Sequence, residues 1–594
     1  MIVNKTSFVI SLLLIGLCFI CYYPAIYAPF YIDDFGSLVG NSKLNAINIP
    51  DLWSSYGMRF IGYLSFALSS VYFGEQPQDF RWLNILIHAA VAISVFILIR
   101  LLLISVWVKG KDKDKELLIG PIEHKKVVLV AAILACVYAV HPLNTQAVTY
   151  VVQRLASLVT LFYLLACVSY LYARITTDKV KRCLSAAFCF ATFALAILTK
   201  QNAVTLPLML LLFEVTLFAS RRFKRNLLFA GMVCLLLSFM ATLLPAFEHS
   251  LALIDSASRE TTLISRVDYF ATQMAIILDY MNKFFWPTGL QLNYPNITKI
   301  GFTETVTWLA AMAHITIVAV SIVAYKRFPL ITIGVFFYYI AHLVESSIIP
   351  ITDIGFEHRA YLPNVGLIIC WAGVLIELSN KLGNKLIVAV GALVVCCLGY
   401  LTYDRNTLWS DKKAFSQNEV IVAPQSIRAH TMLAAVYVNE QKPLDAMREY
   451  QVAIDLSVEQ GKVSYGLLRD YIRVLYSLGQ YESAGTLTTL VMKYTSAHRR
   501  KDRSEVLALI AVSHMQASRF GFAKGLLRQS LKLDPANGFA VYQLGSLLWR
   551  LGEREEALKL VEGFNPKSDE DQAVAQLHQQ MLQIISTEQL DMQQ

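Results

Sequence analysis

Residues 7–35 read SFVISLLLIGLCFICYYPAIYAPFYIDDF, an apolar run that stops at two adjacent carboxylates, Asp33 and Asp34. Lys5 precedes it, but the stretch from about 7 to 30 exceeds the ~7–15 apolar residues of a cleavable leader, and a cut after Ala28 would fall against Pro29. It reads as a retained transmembrane helix, long enough for a hydrocarbon core of about 30 Å. Comparable runs lie at roughly 83–107, 127–142, 155–173, 183–199, 203–219, 227–247, 304–325, 328–348, 361–379 and 386–403, giving about eleven spans.

The composition agrees. Of 594 residues, 56% are hydrophobic and 16% charged, with mean hydropathy +0.50. A soluble chain carries about 25% charged residues, so the figures argue against a purely cytosolic enzyme. The net charge of +9 sits in short tracts between apolar runs, such as Lys109 to Lys126 and Arg221 to Arg225. Cytoplasmic loops show this distribution, whereas a nucleic-acid platform would interleave aromatic residues. All ten cysteines lie in or beside apolar runs before residue 398, where they read as small buried hydrophobes.

An odd number of spans puts the termini on opposite faces. With the N-terminus cytoplasmic, the loops 108–126, 174–182, 220–226, 326–327 and 381–385 are cytoplasmic and all are basic. The other face receives 31–82, 248–303, 349–360 and everything beyond 403. The expected organisation is a membrane domain, 1–403, followed by an extramembrane domain, 404–594.

Beyond 403 the long apolar runs stop and amphipathic helical patterning begins. Leu544, Gly545, Gly552 and Ala557 carry tetratricopeptide spacing, with small residues where paired helices touch and a glycine at the turn. Alanines at 446, 484, 523 and 557 recur near its period of about 34 residues. The fold class is thus all-α: a polytopic helical bundle followed by a tetratricopeptide solenoid. Such solenoids present concave peptide-binding surfaces but also serve as scaffolds.

Asp33 and Asp34 are suited to general-base work or to holding a divalent metal; equally, Asp pairs cap helices and fill turns. On the same face stand His141-Pro142, Gln153-Arg154, Lys200-Gln201-Asn202 and Glu357-His358-Arg359. Ionisable groups at such depths are costly unless paired or facing a polar cavity, although each alone is also explained by snorkelling or capping. Together, Arg154, Lys200, His358 and Arg359 suit a lipid-linked phosphate, with His141 and Glu357 supporting. Glu214, inside the sixth span, reads as a helix-to-helix hydrogen bond.

The string AVHPLNTQAV at 139–148, followed by Gln153-Arg154, resembles a block of the transmembrane and tetratricopeptide-repeat (TMTC-like) O-mannosyltransferase family and its bacterial relatives. SSIIPI at 346–351 running to FEHRAYLPNVG at 356–366 is similar to a second block, and Arg405-Asn406 with Trp409 to the junction into the repeats. The resemblance implies a GT-C type glycosyltransferase in a bacterial inner membrane, its repeats periplasmic. It would move a sugar from a polyprenyl-phosphate carrier to a hydroxyl acceptor such as Ser or Thr of an exported protein. It also implies an acidic pair in the first extramembrane loop, where Asp33-Asp34 stand.

Two departures bear on the donor: the family's Lys-Glu is Lys200-Gln201 here, and Gly-Arg is Gln153-Arg154. The expected chemistry is inverting displacement, with Asp33 or Asp34 taking the acceptor proton while Arg154, Lys200 and Arg359 stabilise the leaving phosphate. No cofactor is expected and the reaction is expected to be metal-independent, with Asp33/Asp34 the one place suited to a divalent ion. The repeats would recognise the acceptor. Two other classes stay open, an assembly scaffold and a lipid-linked glycan polymerase or flippase; an anchor has no need of Asp33-Asp34 at the mouth of a cavity, and a flippase would not lose all activity by losing a base.

Overall fold

The computed structural model describes residues 5–110, 121–220, 222–223, 226, 261, 264–292, 294, 301–351, 353–461, 463–493, 500–564 and 572–591. All regular structure among them is helical. The chain divides into two compact units, Met1–Phe415 and Ser416–Gln594. The last membrane helix, Asn384–Ser410, runs on past residue 403.

In the first unit, eight described helices are long and apolar enough to cross a membrane. The run at 127–142 is a broken element: His124–Ala139 and Pro142–Thr149 meet at 53°. Pro142 lacks an N–H to continue the helix, and the His141 ring caps the new turn by accepting from the Leu143 amide. The run at 328–348 shortens to a helix at Pro329–His342, followed by irregular chain. The run at 227–247 lies outside the described residues.

The sequence reading missed helix Arg266–Phe285, within the 248–303 loop. Ser265 caps its start by accepting from the Asp268 amide. Tyr269, Gln273, Ile276, Ile277, Tyr280 and Phe284 recur at helical spacing and are buried. The signal was an amphipathic period too polar for a membrane run.

Pro329–His342 and Asn364–Leu382 pack backbone to backbone. A Cβ on Gly334 would lie 2.4 Å from the Gly366 carbonyl oxygen, and one on Gly366 2.5 Å from that of Gly334. Small residues permit such approach where lipid supplies no hydrophobic driving force. Glu214 bridges helices as a bidentate partner of Arg174, with both bonds at 2.9 Å.

The second unit stacks antiparallel helix pairs. The first are Ile427–Asn439 with Pro443–Glu459, and Tyr465–Ser477 with Tyr481–Thr486 and Thr488–Lys493. Arg500–Gln516 pairs with Phe520–Leu533, Gly538–Arg550 with Arg554–Glu562, and Gln572–Asp591 follows. Ala446, Ala484, Ala523 and Ala557 are completely buried where paired helices touch. The turns need one residue at positive φ, filled by Gln441, Gly479, Ser518 and Gly552. Only two are glycine, so glycine alone under-reports the repeat.

Candidate functional site

The acidic pair stands on a short helical turn, Asp33–Ser37, beyond the first span. Its carboxylates have different surroundings. Asp34 is wholly buried. Its Oδ2 accepts the Tyr31 amide at 3.1 Å and its Oδ1 the Val152 amide at 2.8 Å. Burial raises the Asp34 pKa to about 7, against the pull of those two amides and the Arg81 charge. Asp33 is half-buried, and its amide donates to the Tyr150 hydroxyl at 2.7 Å. Asp34 is thus fixed on both oxygens, while Asp33 is the more accessible carboxylate.

Arg81, fully buried, ties this corner together. Its guanidinium donates to the carbonyls of Thr149 at 2.9 Å and Pro29 at 2.6 Å, and also to that of Ala28. One side chain thereby joins the exit of the first span to the turn that carries Tyr150 and Val152.

A second cluster is cationic. Lys200 Nζ lies 2.5 Å from Glu345 Oε1. Arg359 donates to the main-chain carbonyls of Glu345, Ile354 and Asp353 at 3.2, 3.0 and 2.7 Å, clamping the irregular chain after His342. Its charge, with that of Lys200, acts on His358. Two cations against one carboxylate leave this largely buried cluster net positive.

His358, one of the residues expected at a donor phosphate, sits where its charged form is disfavoured. Burial first, then the charges of Lys200 and Arg359, push its pKa well below the ordinary imidazole value. Gln146 Oε1 accepts both the His358 amide at 2.7 Å and the ring Nδ1 at 3.1 Å. That partner assigns the proton to Nδ1 and leaves a lone pair on Nε2. His358 is therefore a neutral hydrogen-bonding group.

Arg154, also expected at a donor phosphate, gives most of its donors to protein groups. It is fully buried, with Nε on Asn84 Oδ1 at 2.6 Å, Nη1 on the Ser65 carbonyl at 2.8 Å and Ser69 Oγ at 3.0 Å, and Nη2 on the Phe80 carbonyl at 2.8 Å. The Phe66 ring covers the guanidinium at 4.5 Å. Its role is to join the 60–73 helix to the two membrane helices flanking it.

His141 bonds the Phe284 carbonyl through Nε2 at 2.9 Å and stacks on the Phe284 ring at 4.7 Å. Glu357, completely buried, accepts from Arg405 Nη2 at 2.6 Å and from the Gln291 amide at 2.6 Å. Both brace the scaffold.

One stretch of chain touches both corners: Gln146, on the short helix Thr145–Thr149, holds His358 next to Arg359, and Tyr150, just past the end of that helix, holds Asp33. Sequence reading missed Arg81, Gln146, Tyr150 and Glu345. Gln146 and Arg405 stood within quoted blocks; Glu345 and Arg81 had no local signal beyond being charged at a membrane edge. Among the described residues, no group of three or more His, Cys, Asp or Glu converges on one point.

The unit that carries this carboxylate pair and cationic cluster has relatives of known name. A Caenorhabditis elegans protein O-mannosyl-transferase is 23% identical over 466 residues, covering 75% of this chain and 62% of its own length. Human protein O-mannosyl-transferase TMTC3 is 24% identical over 217 residues, covering 34% of this chain and 21% of its own. This chain is similar to the TMTC-type protein O-mannosyl-transferases. It spans under two thirds of the length of either relative. No family model matches it. A solved structure from a functional characterization of Pseudomonas aeruginosa PilF shares 18% identity, covers 33% of this chain and 94% of that one, and gives a TM-score of 0.23.

Proposed function

We propose that the protein is a GT-C type membrane glycosyltransferase. It would move a sugar from a polyprenyl-phosphate carrier to a hydroxyl of a protein, such as a pilin Ser or Thr, on the periplasmic face of a bacterial inner membrane. The observation that carries this reading is that Gln146, which holds His358 next to Arg359 of the cationic cluster, stands four residues from Tyr150, which holds Asp33. An anionic leaving group and a base need that pairing. The similarity to proteins named O-mannosyl-transferases supports the reaction class.

In this mechanism Asp33, the accessible carboxylate, accepts the proton of the acceptor hydroxyl as the oxygen attacks the anomeric carbon from the face opposite the carrier. The bond to the carrier phosphate breaks, and its charge is stabilised by Lys200 and Arg359. Asp34, held by two amides, positions Asp33. One displacement inverts the anomeric configuration. The repeats would present the acceptor.

The experiment is transfer from a short-chain prenyl-phosphate sugar to a Ser/Thr peptide by the full chain in nanodiscs. Asp33→Asn should lower the rate by about 10²–10⁴-fold, and the product of the unaltered protein should carry the inverted anomer. Near-normal transfer by Asp33→Asn would sink the mechanism.

A further inference from the structure

Lys200 holds one oxygen of Glu345 at 2.5 Å, and the chain around Glu345 offers that carboxylate a second place. Residues 342–346 make one more turn beyond the helix Pro329–His342, closed by the Ser346 amide donating to the His342 carbonyl at 2.9 Å. Positions three and four apart share a face of such a turn, so His342 stands with both Glu345 and Ser346. The charges of Glu345 and Arg359 act on the His342 ring. His342 is 2% exposed and Ser346 4%, and neither ring nitrogen of His342 nor the Ser346 Oγ has a hydrogen-bond partner among the described residues. Buried polar side chains are seldom left so, because an unmet donor has given up water for nothing. The ring is held in place, stacked on Tyr280 at 5.7 Å and edge-on to Tyr338 at 4.8 Å. Each group has a hydrogen to give, since an imidazole carries at least one N–H and a serine one O–H. Arg359, the other donor near Glu345, already bonds three main-chain carbonyls through its two terminal nitrogens.

From this arrangement we propose that His342 and Ser346 are positioning residues that take over the Glu345 carboxylate when a phosphate takes Lys200. A ring N–H and the Ser346 O–H then donate to Glu345, which keeps hydrogen bonds in both states. Lys200 is thereby released to the anion without leaving an uncompensated buried carboxylate, the costly alternative. The inference deepens the proposed function, and rests on it only for naming phosphate as what displaces Glu345. The second place for the carboxylate needs no donor.

Two measurements on the full chain test this. The first is melting in detergent, without lipid-linked sugar, of Lys200→Met, of His342→Phe with Ser346→Ala, and of the triple change. The pair removes groups that bond nothing, so it should melt no lower than the unaltered protein. In Lys200→Met the carboxylate depends on both residues, so the triple change should lower the melting temperature by more than the sum of its parts. Ser346→Ala alone gives the same cycle without enlarging the ring. Additive shifts in both cycles overturn the proposal. The second measurement is calorimetry with sugar-free prenyl phosphate in nanodiscs. His342→Phe with Ser346→Ala should weaken binding about tenfold, and should change nothing once Glu345→Gln is present, a dependence that a merely structural part for His342 does not produce. Equal weakening in both backgrounds, or none in either, also overturns it. If the unaltered protein binds no prenyl phosphate, the proposed donor falls, and the melting cycle still decides whether Glu345 has its second place.

Discussion

Lys200 reaches Glu345 across 2.5 Å, joining the turn between two membrane helices to the irregular chain after Pro329–His342. The neighbour of Lys200 is Gln201, so its carboxylate comes from a distant segment. In the proposed reaction a donor phosphate would compete with Glu345 for that ammonium, and this makes the pair a means of testing the donor.

Lys200→Met should lower transfer by about 10²–10³-fold, the usual cost of losing one donor to developing charge. Glu345→Gln removes the competing anion, and the protein should then hold a sugar-free prenyl phosphate more tightly than the unaltered chain does. The transfer assay checks the first and calorimetry in nanodiscs the second; weaker binding by Glu345→Gln would contradict the arrangement.

Asp34 links activity to pH. Its pKa is raised from the ordinary 3.8 to about 7, so between those values the native state holds a proton that the unfolded chain has lost. Stability contributed by this group therefore falls as pH rises through that window. Activity should run the other way, because ionised Asp34 strengthens the neighbouring base. Transfer should climb through pH ~7, and Asp34→Asn should flatten that limb. A rate unchanged from pH 6 to 8 in the unaltered protein would refute the coupling.

Arg81→Met leaves several buried carbonyls without their donor. A loss of about 3–5 kcal/mol is expected, as for breaking a buried charged contact, with transfer failing alongside because the Asp33 turn is no longer tied to Tyr150. Thermal unfolding in detergent is the measurement. A variant as stable as its parent would show that the carbonyls find other partners.

Gly366→Ala forces apart the closely packed backbones at Gly334 and Gly366. Overpacking of this kind costs about 1–3 kcal/mol. Since Gly366 lies close in sequence to His358 and Arg359, KM for the lipid-linked donor should rise with the fall in melting temperature. Unchanged values for both would show that the helices separate freely.

The sequence by itself determined the solvent and the period. Runs of about twenty apolar residues have no stable place in water, and four alanines at nearly constant spacing leave room for paired helices, so membrane bundle and solenoid were both legible. The acidic pair and Lys200 were legible for a related reason: charge next to an apolar run is costly and calls for a partner. Which partner each group takes was decided only by tertiary structure. Arg154 and Arg359 look alike in sequence and both donate to neutral groups, yet Arg154 does so to two neighbouring helices, while Arg359 stands where its charge acts on Glu345 and His358. His358 reads as one more residue for a phosphate; only its burial beside Lys200 and Arg359, with Gln146 on its ring, shows that its charged form is disfavoured. Hydrogen-bond partners and local field come from segments far apart in the chain, and no window of sequence contains them.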